Sequence, residues 1–379
     1  MGKWLHANRW LLYIGIIAII ISTVVLTGPD LFKGRFPGGA SKNASAHVSP
    51  EPVMQKVRIV LDSTPNASHA FIYAADQMGF LREQGLSLEV VIPNVTDDGL
   101  KMVGNDRADL ALAHQPDVLF ARQQQLPVIS IAATIRYPLT YLTLPKASPV
   151  HTPRNLEGKT VGYAKQLDEA IVRTMLEDDD ADADTVHFAS VGWSYIEALT
   201  ERRVDALIGP TIVHDRLMLE HKEIPVRVVE PMLYGVPSYY ETVLAANETK
   251  LSEDPEFYQK IWTALVQGQE YVISNPDDAV RMVLLRQPAY APLDREVERA
   301  GLELLLPFMN AGDEPFGHQD GDVWSEVASW LTDLELIDSS LESDSAYINV
   351  EVLQDEAEEE AVEDEENGED GSEANEAES

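Results

Sequence analysis

Cysteine is absent from all 379 residues. That removes structural disulfides, thiolate metal sites, iron–sulfur clusters, cysteine nucleophiles and lipid attachment through a lipobox cysteine. Basic residues are scarce: 28 Lys and Arg face 64 Asp and Glu, for a formal net charge of −36. A nucleic-acid-binding surface is excluded on that balance. The common catalytic signatures are also missing, with no H-E-x-x-H, G-x-S-x-G or G-x-x-x-x-G-K, and no G-x-G-x-x-G behind a strand. The nine histidines are scattered singly, and His69 and His114 read as pocket or structural hydrogen-bonders rather than metal ligands. No catalytic residue, metal site or cofactor is expected, and a binding protein is the class that remains.

The charge that is present is unevenly placed. Residues 351–379 carry fifteen Asp and Glu and no Lys or Arg, leaving −21 for the rest. So little apolar surface cannot offset the entropy of ordering, and 339–379 reads as an acidic disordered tail. At the other end, Trp10 to Leu26 is a run of seventeen residues without a charge, about 25 Å as a helix. Residues 1–28 read as an uncleaved signal-anchor and transmembrane segment, and the Gly- and Pro-rich stretch 29–56 as a flexible linker.

Between these ends the pattern is α/β. Strands are expected at 57–61, 86–92, 110–113 and 128–134, with a helix over 70–84 that stops at Gly85 and further helices near 100–105 and 116–124. A second series runs from 160 to 208. Its Arg203-Val204-Asp205-Ala206-Leu207-Ile208 echoes Arg107-Ala108-Asp109-Leu110-Ala111-Leu112. Two mainly parallel lobes follow, lobe 1 from 57–137 and 245–338 and lobe 2 from 138–244, with a helical cap beyond Asp254.

Ligands in open α/β sheets sit beyond the carboxyl ends of strands. The loop after the first strand offers Asp62, Asn66 and His69. A second cluster, Tyr239, Tyr240 and Glu241, precedes the strand that re-enters lobe 1. Tyrosines there could stack on a flat ring while the carboxylate pairs with an amidine-like edge. The competing reading makes Tyr239 to Glu241 the alternating faces of a half-buried strand. Tyr163 and Trp193 complete the ligand-binding set.

With Leu61-Asp62-Ser63-Thr64-Pro65-Asn66, Leu156-Glu157-Gly158-Lys159-Thr160-Val161-Gly162-Tyr163 and Tyr234-Gly235-Val236-Pro237-Ser238-Tyr239-Tyr240-Glu241, the chain resembles the type II solute-binding proteins of ABC importers. The branch is the one that binds pyrimidine precursors of thiamine, of the formylaminopyrimidine or hydroxymethylpyrimidine type. The resemblance implies a two-lobed periplasmic-binding-protein type II fold and an extracytoplasmic receptor without enzyme activity or cofactor. Its partners would be a pyrimidine ligand, ABC permease subunits with their ATPase, and the membrane through the N-terminal helix. The protein would be a monomer at the cell membrane. A sulfonate or nitrate binder is the alternative within the class. A relative of the fungal-type thiamine pyrimidine synthase is the enzyme alternative. By the same resemblance, that enzyme's cofactor lysine falls on Ala113, its sacrificial histidine on Asp117 and its cysteine-rich loop on 236–240, and this chain keeps none of the three. Where the family usually has Trp after the first-strand acid, this chain has Ser63.

Overall fold

The computed structural model describes residues 54–93, 98–192 and 194–350. The expected anchor, nearly all of the linker, Trp193 and everything past 350 lie outside the described residues. Among the described residues, no helix is long and apolar enough to cross a membrane.

Two five-stranded sheets organise the chain. β1 (Gln55–Val60), β2 (Leu86–Val91), β3 (Leu110–Ala113) and β4 (Val128–Ile135) belong to the first sheet. β5 (Leu142–Pro145), β6 (Thr160–Tyr163), β7 (His187–Ser190), β8 (Ala206–Leu207) and β9 (Val226–Val229) make the second, and β10 (Thr242–Asn247) returns to the first. The return therefore comes at Thr242, slightly before the expected residue 245.

The spatial orders are β2-β1-β3-β10-β4 and β7-β6-β8-β5-β9. In the first sheet β1 pairs parallel with β2 and β3, and in the second β6 pairs parallel with β7 and β8. The exceptions to the expected parallel arrangement are β10, antiparallel to β3 and β4, and β5, antiparallel to β8 and β9. Each is the strand laid down just after the chain crosses from the other sheet. A parallel neighbour needs a crossover helix to carry the chain back to the same end, and a chain arriving from the opposite lobe has none.

The sequence echo between the lobes has a structural counterpart. Asp109 Oδ2 accepts the Arg58 N–H of β1 at 2.6 Å, and Asp205 Oδ2 accepts the Thr160 N–H of β6 at 2.9 Å. The turn before β3 is thus tied to β1, and the turn before β8 to β6, in the same way. Strand alternation also divides the core. Ile59 and Leu244 pack with Phe71 and Leu265 under the helices Ala70–Gln77 and Pro255–Ser274. Val60 and Val243 face the opposite way, in a cluster that continues through Ala111 to Val161 and Ala206 of the second lobe.

Two expected boundaries are corrected. The helix predicted over 70–84 is broken at Gly79, whose φ of +91° only glycine adopts cheaply, and resumes as Phe80–Glu83. The folded chain also continues past Asp338, so 339–350 is not tail. Ile348 N–H donates to Ser130 O at 2.8 Å, Val350 N–H donates to Ile131 O at 3.2 Å, and the Tyr347 ring stacks on Trp324 at 5.3 Å. This segment covers the outer edge of β4, whose eight residues are all buried although it ends the sheet.

Candidate ligand site between the two sheets

A cavity of about 710 Å³ opens where the carboxyl ends of strands from both sheets meet. Its first wall is the loop after β1. Asn66 caps the turn Ala67–His69: its Oδ1 accepts Ser68 N–H at 2.8 Å, and its Nδ2 donates to Thr64 O at 3.1 Å. The Asn66 N–H donates to His69 Nδ1 at 3.1 Å, so the ring hydrogen sits on Nε2 and is donated to Asp62 Oδ1 at 2.7 Å. Burial alone would raise the Asp62 carboxyl. The His69 hydrogen bond and the charges of His114 and Lys165 outweigh it and hold the group well below the usual carboxylate range.

A denser polar cluster forms the floor. His114, at the end of β3, has Nδ1 3.1 Å from Asp117 Oδ2 and Nε2 3.4 Å from Glu241 Oε1. Glu241 Oε2 accepts Leu139 N–H at 2.6 Å, tying the carboxylate to the segment where the chain crosses between sheets. Lys165, on the loop after β6, brings its Nζ to 3.2 and 3.0 Å from His114 Nδ1 and Nε2. Near-equal distances to both ring nitrogens put the ammonium across the ring face. Asp168 shapes that loop by accepting the N–H groups of Ala164 and Lys165 at 2.9 and 3.0 Å. Burial and the Lys165 charge push the His114 imidazole down, but Asp117 and Glu241 raise it to about 9. Glu241 and Asp117 in turn are lowered by His114 against the opposing effect of burial. An imidazolium and ionised carboxylates therefore share the floor at neutral pH, with Lys165 against the ring.

Of the sequence candidates, Asp62, Asn66 and Glu241 line the cavity, and His69, fully buried, supports Asp62 from behind. The tyrosines do not join them. Tyr163 packs edge-on against Phe188 at 6.2 Å, away from the cavity lining. Tyr239 and Tyr240 are each 1 % exposed. The Tyr240 hydroxyl accepts Asp320 N–H at 2.7 Å, and its ring lies beneath the Arg136 guanidinium. The half-buried alternation does not hold either: residues 239–241 precede β10 outside any strand and all three are buried, with Glu241 in the cavity lining and the two rings in the core behind it. Trp193 lies outside the described residues.

Lys165, Thr140, Tyr195 and His214 line the cavity beyond the ligand-binding set read from the sequence, and so does His114, which the sequence shows only as a lone histidine. Position at a strand's carboxyl end was the available signal for His114. Lys165 follows β6 much as Ser63 follows β1, a signal visible once the lobes are aligned. Among the described residues, no group of three or more His, Asp or Glu is placed to hold a metal ion.

Residues 66–279 match the NMT1/THI5-like family. The chain belongs to that family. It is 34% identical to the formylaminopyrimidine-binding protein of Halalkalibacterium halodurans over 304 residues, 80% of this chain and 92% of that protein. It is 23% identical to the 4-amino-5-hydroxymethyl-2-methylpyrimidine phosphate synthase of Legionella pneumophila, over 78% of this chain and 91% of that enzyme. In three dimensions it is similar to the alkanesulfonate-binding protein SsuA from Xanthomonas axonopodis pv. citri bound to MOPS. The TM-score is 0.59 at 13% identity, over 78% of this chain and 98% of that one. The fold is therefore the two-sheet fold of periplasmic binding proteins.

Proposed function

We propose that this chain is the extracytoplasmic solute-binding component of an ABC importer. It captures a thiamine pyrimidine precursor, formylaminopyrimidine or its hydroxymethyl relative, between its lobes and delivers it to the permease. The observation that carries this reading is that Glu241 and His114 meet 3.4 Å apart on the cavity floor with Asp62 on the adjoining wall. Glu241 and Asp62 accept hydrogen bonds and His114 donates them. An aminopyrimidine edge offers the complement, an exocyclic N–H donor beside a ring-nitrogen acceptor, and charge-assisted bonds in a closed site are the strong ones. The 34% identity to a formylaminopyrimidine-binding protein across 92% of its length points the same way.

A sulfonate or nitrate would have to displace this arrangement. Among the described residues the cavity lining contains no arginine, and its Lys165 already lies against His114. A synthase reading also lacks its machinery, because Ala113 offers a methyl group where that enzyme's lysine would fall and Asp117 is ion-paired to His114. The chain is held at the membrane by the uncharged N-terminal segment and transports without catalysis.

Isothermal titration with formylaminopyrimidine, hydroxymethylpyrimidine, taurine and nitrate tests the reading. Micromolar or tighter binding of a pyrimidine is expected, about −8 kcal/mol or better. Tight binding of taurine or nitrate without pyrimidine binding would refute it.

A further inference from the structure

A fully buried acid lies outside the cavity and bridges the two lobes. Glu298, on the helix Arg295–Met309, is 1 % exposed. Its Oε2 accepts the Ala67 N–H at 2.7 Å, at the point where the ligand loop turns after Asn66. Its Oε1 receives no aligned hydrogen bond. The compensation for that oxygen is His214, whose Nδ1 stands 3.0 Å away. His214 belongs to the other lobe: it lies between β8 and β9, at the start of the helix Asp215–His221, and it lines the cavity.

Two more contacts follow the same seam. His221 Nε2 is 3.3 Å from Asp294 Oδ2, which lies at the head of the Glu298 helix. Gly301, one turn beyond Glu298, lies so close to lobe 2 that an added Cβ would be 2.3 Å from the Val213 carbonyl oxygen. The helix thus sits backbone against backbone on the lobe 2 segment that carries His214.

We infer that Glu298 is a positioning residue that couples the 62–69 ligand loop of lobe 1 to closure of lobe 2 through His214, and so governs how long a bound ligand is retained. The inference rests on the reading of the cavity as a ligand site enclosed by the lobes. The physical reason is the cost of an uncompensated buried carboxylate. With the lobes apart, Oε1 loses its ionic partner His214 and must be solvated by water. With the lobes together, the same side chain orders the Ala67 amide and pairs with His214. Burial pulls the His214 imidazole down, but Glu298 and Asp215, the charged groups that act on it, hold it above its ordinary value. The latch therefore weakens as pH rises through that raised range.

The test uses the full-length chain with Glu298→Gln, His214→Gln and the double variant. Because the chain has no native cysteine, Glu83→Cys and Glu201→Cys, both exposed and one on each lobe, take fluorophores that report lobe separation. Release of formylaminopyrimidine is followed by stopped flow. Each single variant should release it about tenfold faster or more, and the double variant no faster than the quicker single one. The unliganded singles should show a wider label distance. Wild-type release should quicken as pH rises through the His214 range, and His214→Gln should lack that step. Unchanged release and label distance in folded variants, or additive effects in the double variant, would overturn the inference. His214→Gln, changed at a partly exposed position, decides the matter if Glu298→Gln does not fold. A wild type that binds no pyrimidine would refute the ligand reading, while the label distances of the unliganded variants would still decide the coupling.

Discussion

Replacing Glu241 by glutamine leaves the shape of the floor intact and removes one charge from a cluster of four. The remaining side-chain oxygen can keep the Leu139 N–H, which Glu241 Oε2 accepts at 2.6 Å. The amide nitrogen must then face His114 Nε2, which stands 3.4 Å from Oε1 in the parent. Two donors would meet where an ion pair was. Two unit charges at about 4 Å attract by roughly 4 kcal/mol at an effective dielectric of 20. Part of that returns as the group's changed solvation, so the net loss should be about 1.5 to 3 kcal/mol, the usual range for a hydrogen bond to a charged group. At 1.36 kcal/mol per pH unit, that moves the His114 titration down by roughly one to two units, from the value of about 9 that Asp117 and Glu241 jointly set. Nuclear magnetic resonance of the imidazole protons reads this directly, with the His114 signal assigned by its absence in His114→Gln. Pyrimidine affinity should fall by about tenfold to a hundredfold in the same variant, since a carboxylate acceptor is lost from a water-poor site. A folded Glu241→Gln protein with an unmoved His114 titration would refute the pairing. Unmoved titration together with full affinity would remove Glu241 from the site altogether.

Asp62 is depressed in the folded state, so its contribution to stability is complete above the unfolded carboxyl value of about 4 and is lost as pH falls through the folded value. Asp62→Asn should therefore flatten the acid limb of a urea-unfolding series below about pH 4, and parallel limbs would show that the His69 pairing contributes nothing. Tyr240→Phe leaves the Asp320 N–H without its acceptor; it should cost about 1 kcal/mol of stability while pyrimidine affinity stays unchanged, and weakened binding would return Tyr240 to the ligand set. The N-terminal segment should keep the mature protein with the membrane fraction and should retain Trp10 in peptide maps. A soluble species beginning near His47, just after the small-residue stretch Ala44-Ser45-Ala46, would mean that the segment serves for export and is then removed.

Much of what could be read from the sequence was local chemistry. The strand β1 and its loop were visible because an apolar run ends at Asp62 and is followed by small polar turn formers. Asn66 and His69 then satisfy one another within a span of three residues. The Asp109 and Asp205 turns were visible for the same reason, and the hydrogen bonds they make are alike in the two lobes. The long helix Pro255–Ser274 announced itself by periodicity, with Asp254 capping it through Phe257 N–H. Family membership, too, was written in short motifs at strand ends.

Other features needed the folded chain. The short strands β5 and β9, each four residues, hold too little pattern to show themselves, and they exist because each completes a ladder with the other. Tyr239 and Tyr240 carry the same ring whether they face a ligand or a core. Only the packing of Trp324 and the Asp320 amide against Tyr240 turned that residue inward. His114 and Lys165 are fifty-one positions apart and belong to different lobes, yet their nitrogens lie 3.0 Å apart. Glu298 and His214 meet in the same way across the other side of the cleft. Local sequence encodes backbone preference over a few residues, whereas charge pairing across a cleft depends on how the two sheets dock. Asp62, Asn66 and His69 could accordingly be named from sequence because their own loop holds them, whereas Lys165 and His214 are given their surroundings by the opposite lobe.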